Sequence, residues 1–169
     1  MEYPIIESIH HEWTILFNEG IITALFVSAL CGSIVGLERE KAEKPAGLRT
    51  NMFICVGSCL FTLASILSWK YISGEPATVD PARIAAQVVS GIGFLGAGVI
   101  LKTKTGDVVG ITTAATIWLV AAIGVVIGIG FPLLGFLVAT TTAIALFFLG
   151  KIELSEWFSF SSKLDDEDS

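Results

Sequence analysis

Charge is what this 169-residue chain lacks most. Asp, Glu, Lys and Arg make up 15% of it, against the quarter usual in soluble domains. The deficit is concentrated: Gly20–Leu37, Asn51–Trp69, Ile84–Leu101 and Val108–Gly150, of 18, 19, 18 and 43 residues, contain none of the four. Basic residues are few, 10 against 16 acidic ones, and no basic patch stands out, so nucleic acid is not an expected partner. Cysteine is limited to Cys31, Cys55 and Cys59, all within the uncharged stretches. Cys55 and Cys59 share a helix face, but two thiols with no nearby His make a poor zinc site, and buried thiols act as small hydrophobes. No metal ligand set and no cofactor is expected. The remainder is apolar, with 53% hydrophobic residues before the 17 glycines are counted and a mean hydropathy of +0.78. A globule of this length exposes too much surface to hide that composition from water, and a disordered chain is poor in these residues. The fold class is an all-α integral membrane protein.

About 20 apolar residues cross a bilayer as helix. The 43-residue stretch is therefore too long for one crossing, and Gly128-Ile129-Gly130-Phe131-Pro132 supplies a break, with glycine for the turn and proline for the next first turn. Five transmembrane helices result, at about 20–37, 51–70, 82–101, 111–128 and 132–150. Residues 1–19 carry Ile5, Ile6, Ile9, Trp13, Leu16 and Phe17 at helical spacing, the pattern of an amphipathic helix in the interface. Their acidic residues and lack of Lys or Arg exclude a cleavable signal peptide. Segment 151–169 reads as an acidic tail. Lys and Arg set the orientation: the first loop, third loop and tail hold eight, the other side only Lys70 and Arg83. That bias places the N-terminus outside and the C-terminus in the cytoplasm.

Gly91-Ile92-Gly93-Phe94-Leu95-Gly96 matches the dinucleotide fingerprint in letters, but the strand, helix and acidic residue that fingerprint requires are missing. Gly91, Gly93, Gly96 and Gly98 instead mark helix contact or a helix break, because six small residues from Ser90 to Gly98 can open a helix and expose carbonyls to an ion. Gly32 and Gly36 continue Ser28 at intervals of four, as Gly128 continues Gly124, the spacing at which small residues let helices approach. Glu38–Lys44 offers Glu38/Lys41, Arg39/Glu43 and Glu40/Lys44 pairs on a helical extension. Asp80 ahead of Pro81 reads as an N-cap, and ionisable groups at a membrane boundary pair or serve function. The functional polar residues are thus expected in two groups: Glu38, Arg39, Arg49 and Asp107, ion-paired into one cluster on the cytoplasmic side beside Thr50, and Asp80 and Arg83, paired into a smaller one on the outer side beside Gln87. Thr112, Thr113 and Thr116 read as helix-packing hydroxyls at least as well as an ion path.

Three segments carry a resemblance. Gly36-Leu37-Glu38-Arg39-Glu40 with Lys44-Pro45-Ala46-Gly47-Leu48-Arg49-Thr50 resembles the first signature of the MgtC/SapB family of bacterial inner-membrane proteins. Asp80–Ser90 running into Gly91–Gly98 resembles the second, and Gly110–Trp118 the third. They cover residues 20–150. The resemblance implies a multi-pass protein of the bacterial inner membrane, with a role in adaptation to magnesium limitation and in intracellular survival and virulence. It also implies a regulator that acts through other membrane proteins such as the rotary ATP synthase. Longer relatives carry a soluble C-terminal domain resembling ACT ligand-binding modules, whereas this chain is expected to be a short form that stops at the acidic tail. No nucleophile–base pair appears, so an enzyme is not expected. A small carrier or channel for Mg²⁺ or another cation is the alternative. The bilayer and other membrane proteins are the expected partners; homo-oligomer formation stays open.

Overall fold

The structure, a computed structural model, describes residues 4–71, 80 and 82–151. It consists of α1 (Pro4–Asn18), α2 (Ile21–Lys41), α3 (Leu48–Tyr71), α4 (Arg83–Gly98), a hairpin of β1 (Leu101–Lys102) and β2 (Val108–Val109), α5 (Ile111–Gly128) and α6 (Pro132–Lys151). Four helices, α2, α3, α5 and α6, are long and apolar enough to cross a membrane. The third expected crossing, 82–101, is shorter than its uncharged stretch. Its helix has 16 residues, about 24 Å at 1.5 Å per residue, against a hydrocarbon layer of about 30 Å. The chain leaves the helix at Val99 and enters the hairpin, where Leu101 faces Val109 and Lys102 faces Val108. The expected plain loop at 102–110 is therefore a β-turn structure. Gly110 ends it with φ +92°, and a side chain there would strike the Val99 carbonyl, so this position combines two reasons for glycine.

Small residues set the packing. Val35, Cys31, Cys55, Cys59, Val120, Ile123, Ile127 and Ala139 form the centre of the bundle. The largest interfaces are α2 with α3 and α3 with α5. At the first, a Cβ on Gly32 would lie 2.6 Å from the Asn51 carbonyl oxygen and 2.8 Å from Cys55 Cβ, and one on Gly36 would lie 2.7 Å from Leu48 Cα. At the second, a Cβ on Gly124 would overlap the Cys55 carbonyl, and one on Gly128 would lie 2.7 Å from Thr62 Cβ. Backbones approach this closely only where no side chain intervenes. The same contacts fix direction: α2 and α3 are antiparallel, α3 and α5 parallel. Helix α6 packs on α2 and α5, and α4 lies against α5 and, less extensively, α3.

The glycines of α4 do not break it. The helix is continuous through Gly91, Gly93 and Gly96, so the opened helix with exposed carbonyls is overturned. Its backbone N–H groups have carbonyl partners one turn back, the bond that propagates a helix in an apolar medium. A Cβ on Gly96 would lie 3.7 Å from Ala114 Cβ, while Gly91, Gly93 and Gly98 have nothing within 4 Å of a would-be side chain. Helix α1 has the expected stripe in part: Ile15 and Leu16 pack against the core, whereas Trp13 and Phe17 are exposed and stack at 5.8 Å. Glu19 and Lys70, 2.6 Å apart, link the end of α1 to the end of α3. The pair is half-exposed, so it contributes about 0–1 kcal/mol. The acidic tail and the loop at 72–79 lie outside the described residues.

Candidate functional site

The buried face of α2 passes through Ser28, Gly32, Val35 and Gly36 and continues to Arg39. Three residues beyond Gly36, this arginine stays on the stripe that packs into the bundle, and it is only 4% exposed. A buried guanidinium requires a counter-charge and hydrogen bonds. Glu38 supplies both, accepting from Arg39 Nε at 2.5 Å and from Nη2 at 2.8 Å in a two-pronged contact. The i,i+3 and i,i+4 pairs expected along Glu38–Lys44 do not form between these residues, because Arg39 turns inward. Glu40 is used differently: its carboxylate accepts the Leu48 N–H at 2.8 Å. It caps the start of α3 from the end of α2, where a negative group is favourable at a helix N-terminus.

Asn51 completes this end of the bundle. It is fully buried, and its Nδ2 donates to the carbonyls of Ala46, at 2.5 Å, and Gly47, at 3.0 Å. The α2–α3 turn includes two non-glycine residues with positive φ, Glu43 at 54° and Ala46 at 57°, a conformation that needs such support. Asn51 Oδ1 has no hydrogen-bond partner. Thr116 on α5 is buried and donates to the Thr112 carbonyl at 2.8 Å; Thr113 is also buried.

The single ion-paired cluster expected here is corrected. Among the described residues, Glu38 pairs with Arg39, while Arg49 and Asp107 join no ion pair. Asp107 is occupied in the hairpin turn, accepting from Thr105 Oγ1 at 2.7 Å while its own N–H donates to Thr103 Oγ1 at 3.1 Å. A carboxylate satisfied by its own turn gains little by leaving it. Arg49 is exposed and precedes Thr50, which lines a groove between α3 and α4 together with Gln87 and Gly91.

At the opposite end, Asp80 and Arg83 do not form the expected ion pair either. Asp80 Oδ1 accepts the Ala82 N–H at 2.9 Å, which is a local turn and not the cap of α4, whose N-cap is Ala82. The first turn of α4 is sealed from a neighbour: Ile84 N–H donates to Ser65 Oγ of α3 at 3.1 Å. Sequence reasoning missed Asn51, Glu40 and Ser65. For Arg39 a usable signal existed, because the small-residue stripe of α2 extends onto it.

Residues 25–154 match the model of the MgtC family, which is more than half of the chain. The chain belongs to the MgtC family. Among curated relatives, Escherichia coli YhiD, named as a candidate magnesium transporter, is 46% identical over 129 residues, covering 76% of this chain and 59% of that protein. Bacillus subtilis SapB is 39% identical over 138 residues, 81% of this chain and 57% of SapB. Salmonella typhimurium MgtC is 44% identical over 109 residues, 64% of this chain and 43% of that MgtC. The MgtC-family chain thus spans about half the length of the curated relatives it matches. No solved structure matches it. The matched region of this MgtC-family chain runs from within α2 to just beyond α6, so the Glu38–Arg39 pair, Asn51 and both intersegment caps fall inside it.

Proposed function

We propose that this chain is the membrane part of a non-enzymatic regulator that adapts a bacterium to magnesium limitation, acting through other membrane proteins. The rotary ATP synthase is the partner implied by the family resemblance, and intracellular survival and virulence are the settings it implies. In this reading the chain crosses the inner membrane five times, with α4 as the short crossing, its N-terminus outside and its C-terminus in the cytoplasm.

One observation carries the regulator over the carrier. Among the described residues, the buried polar groups are Ser28, Asn51, Ser58, Thr62, Ser65, Thr113, Thr116 and the neutralised Arg39; none is a carboxylate. Among the described residues, no group of three His, Cys, Asp or Glu is placed to hold a metal. Mg²⁺ dehydrates reluctantly and is bound by one or two carboxylates with several retained waters. Moving it past hydroxyls and thiols alone leaves a divalent charge without compensation in the hydrocarbon layer. The name of YhiD favours the second reading, a magnesium carrier.

Mg²⁺ entry into liposomes that contain the purified chain and a trapped indicator dye separates the two. The expected rate equals that of protein-free liposomes. Saturable uptake abolished by Asp80→Asn overturns the regulator and establishes the carrier. Crosslinking and co-purification from native membranes then tests the partner.

Orientation has its own test. Reporters inserted at Gly106 and after Ser169 are both expected to be active only as cytoplasmic fusions. If α4 does not cross, the Gly106 reporter and the Ser169 reporter both report the outer side.

A further inference from the structure

Helices α3 and α4 touch where Ile84 N–H meets Ser65 Oγ. Toward the other end of the bundle a groove of about 720 Å³ separates them, bounded by Ile84 at one end and by Thr50 and Val99 at the other. Its volume falls in the roughly 300–1,000 Å³ range of small-molecule sites. Two lining positions are glycines, Gly57 and Gly91, and each has nothing within 4 Å of a would-be side chain. Phe53 and Phe61 form part of the wall and are more than half exposed. In the five-crossing topology proposed above, on which this inference rests, α3 and α4 both lie in the bilayer and the groove opens to hydrocarbon and not to water. Unfilled, it would forfeit the dispersion contacts of its lining.

The charges at its two ends differ. At the Thr50 end, Arg49 is exposed and forms no ion pair with a described residue. On the α4 side, the chain runs from Val99 to the exposed Lys102, which is also without an ion pair among the described residues. Two exposed cations thus flank the lining residues of this end in sequence, Arg49 directly before Thr50 and Lys102 three residues past Val99. At the Ile84 end the lining polar group is the neutral Gln87, and the nearest cation in sequence, Arg83, has Asp80 three residues before it.

We propose that the α3–α4 groove is a binding site for an anionic phospholipid of the leaflet on the Arg49 side. One acyl chain fills the groove over Gly57 and Gly91, and Arg49, Lys102 and Thr50 hold the phosphate. Basic residues at a membrane surface attract anionic lipid in general; the groove makes this attraction a site, because it fixes a chain beside those charges.

Native mass spectrometry of the purified chain with equimolar phosphatidylglycerol and phosphatidylcholine tests this. The wild type is expected to retain one phosphatidylglycerol per protomer. The double variant Arg49→Gln, Lys102→Gln is expected to lose the preference by about tenfold or more, the scale set by two surface cations. A control removing two other exposed cations, Lys41→Gln with Lys44→Gln, is expected to keep it. Gly91→Leu, or Gly57→Leu where the first fails to fold, is expected to lose the bound lipid while melting as the wild type does in phosphatidylcholine alone. Equal retention of both lipids by the wild type overturns the proposal, as does undiminished phosphatidylglycerol in folded Gly91→Leu. A lipid-free dimer that Gly91→Leu dissociates also overturns it, since a second copy then occupies the groove.

Discussion

Arg39→Ala is expected to destabilise the bundle by about 3–5 kcal/mol, the cost of leaving one member of a buried ion pair without its partner. The side chains of Arg39 and Glu38 are 5% and 13% exposed, so water cannot replace the missing charge. Glu38→Ala is expected to cost a similar amount, for the converse reason. The double variant should cost clearly less than the sum of the two, because it removes the stranded charge along with the contact. Unfolding by denaturing detergent in mixed micelles measures all three. Strictly additive losses would mean that the pair is not coupled. Arg49→Gln, at an exposed site without an ion pair, is expected to change stability by no more than about 0.5 kcal/mol.

Gly124→Leu is the second large effect. A side chain there meets the Cys55 carbonyl and, at 2.8 Å, Ser58 Cβ. The first obstacle is backbone, so α3 and α5 must separate along an interface that also includes Gly128. Overpacking costs about 1–3 kcal/mol where side chains can yield, and here about 3 kcal/mol or more is expected because the carbonyl cannot. Gly93→Leu provides the contrast: nothing stands within 4 Å of its Cβ position, and replacing glycine in a helix recovers about 0.5–1 kcal/mol of conformational entropy. The same micelle titration should show Gly124→Leu strongly destabilised and Gly93→Leu unchanged or slightly more stable. Comparable losses in the two would refute the packing account.

These contrasts show which parts of the fold were legible in the sequence. Charge-free length located the four membrane-length helices, and the expected 111–128 and 132–150 coincide with Ile111–Gly128 and Pro132–Lys151 to within a residue, because glycine and proline punctuate the backbone locally. Helix α4 ends three residues before the expected 101: a hydrophobic run continues through Val99-Ile100-Leu101, and hydropathy does not distinguish a helix end from a β-strand. The glycines looked alike in one dimension. Only the helix they face separates Gly124, pressed on a carbonyl, from Gly93, open on every side. The site was half-legible for a related reason. Glu38 and Arg39 drew notice as charges beside a crossing, but their pairing depended on Arg39 lying on the buried stripe. Ser65 and Glu40 act across elements, where no local spacing rule reaches.

The intersegment caps carry a direction in time. In each, the acceptor belongs to the earlier helix and the donor to the later one: Glu40 receives Leu48 N–H, and Ser65 receives Ile84 N–H. A growing chain emerges from its N-terminus, so each acceptor is already in place when the amide that needs it arrives. The first N–H groups of a helix lack partners within it, and this arrangement supplies one as each new helix forms. Assembly can therefore proceed as a ratchet, each helix docking on its predecessor before the next is made. Splitting the gene between α3 and α4 and expressing the halves in reverse order would remove that timing while leaving every final contact available.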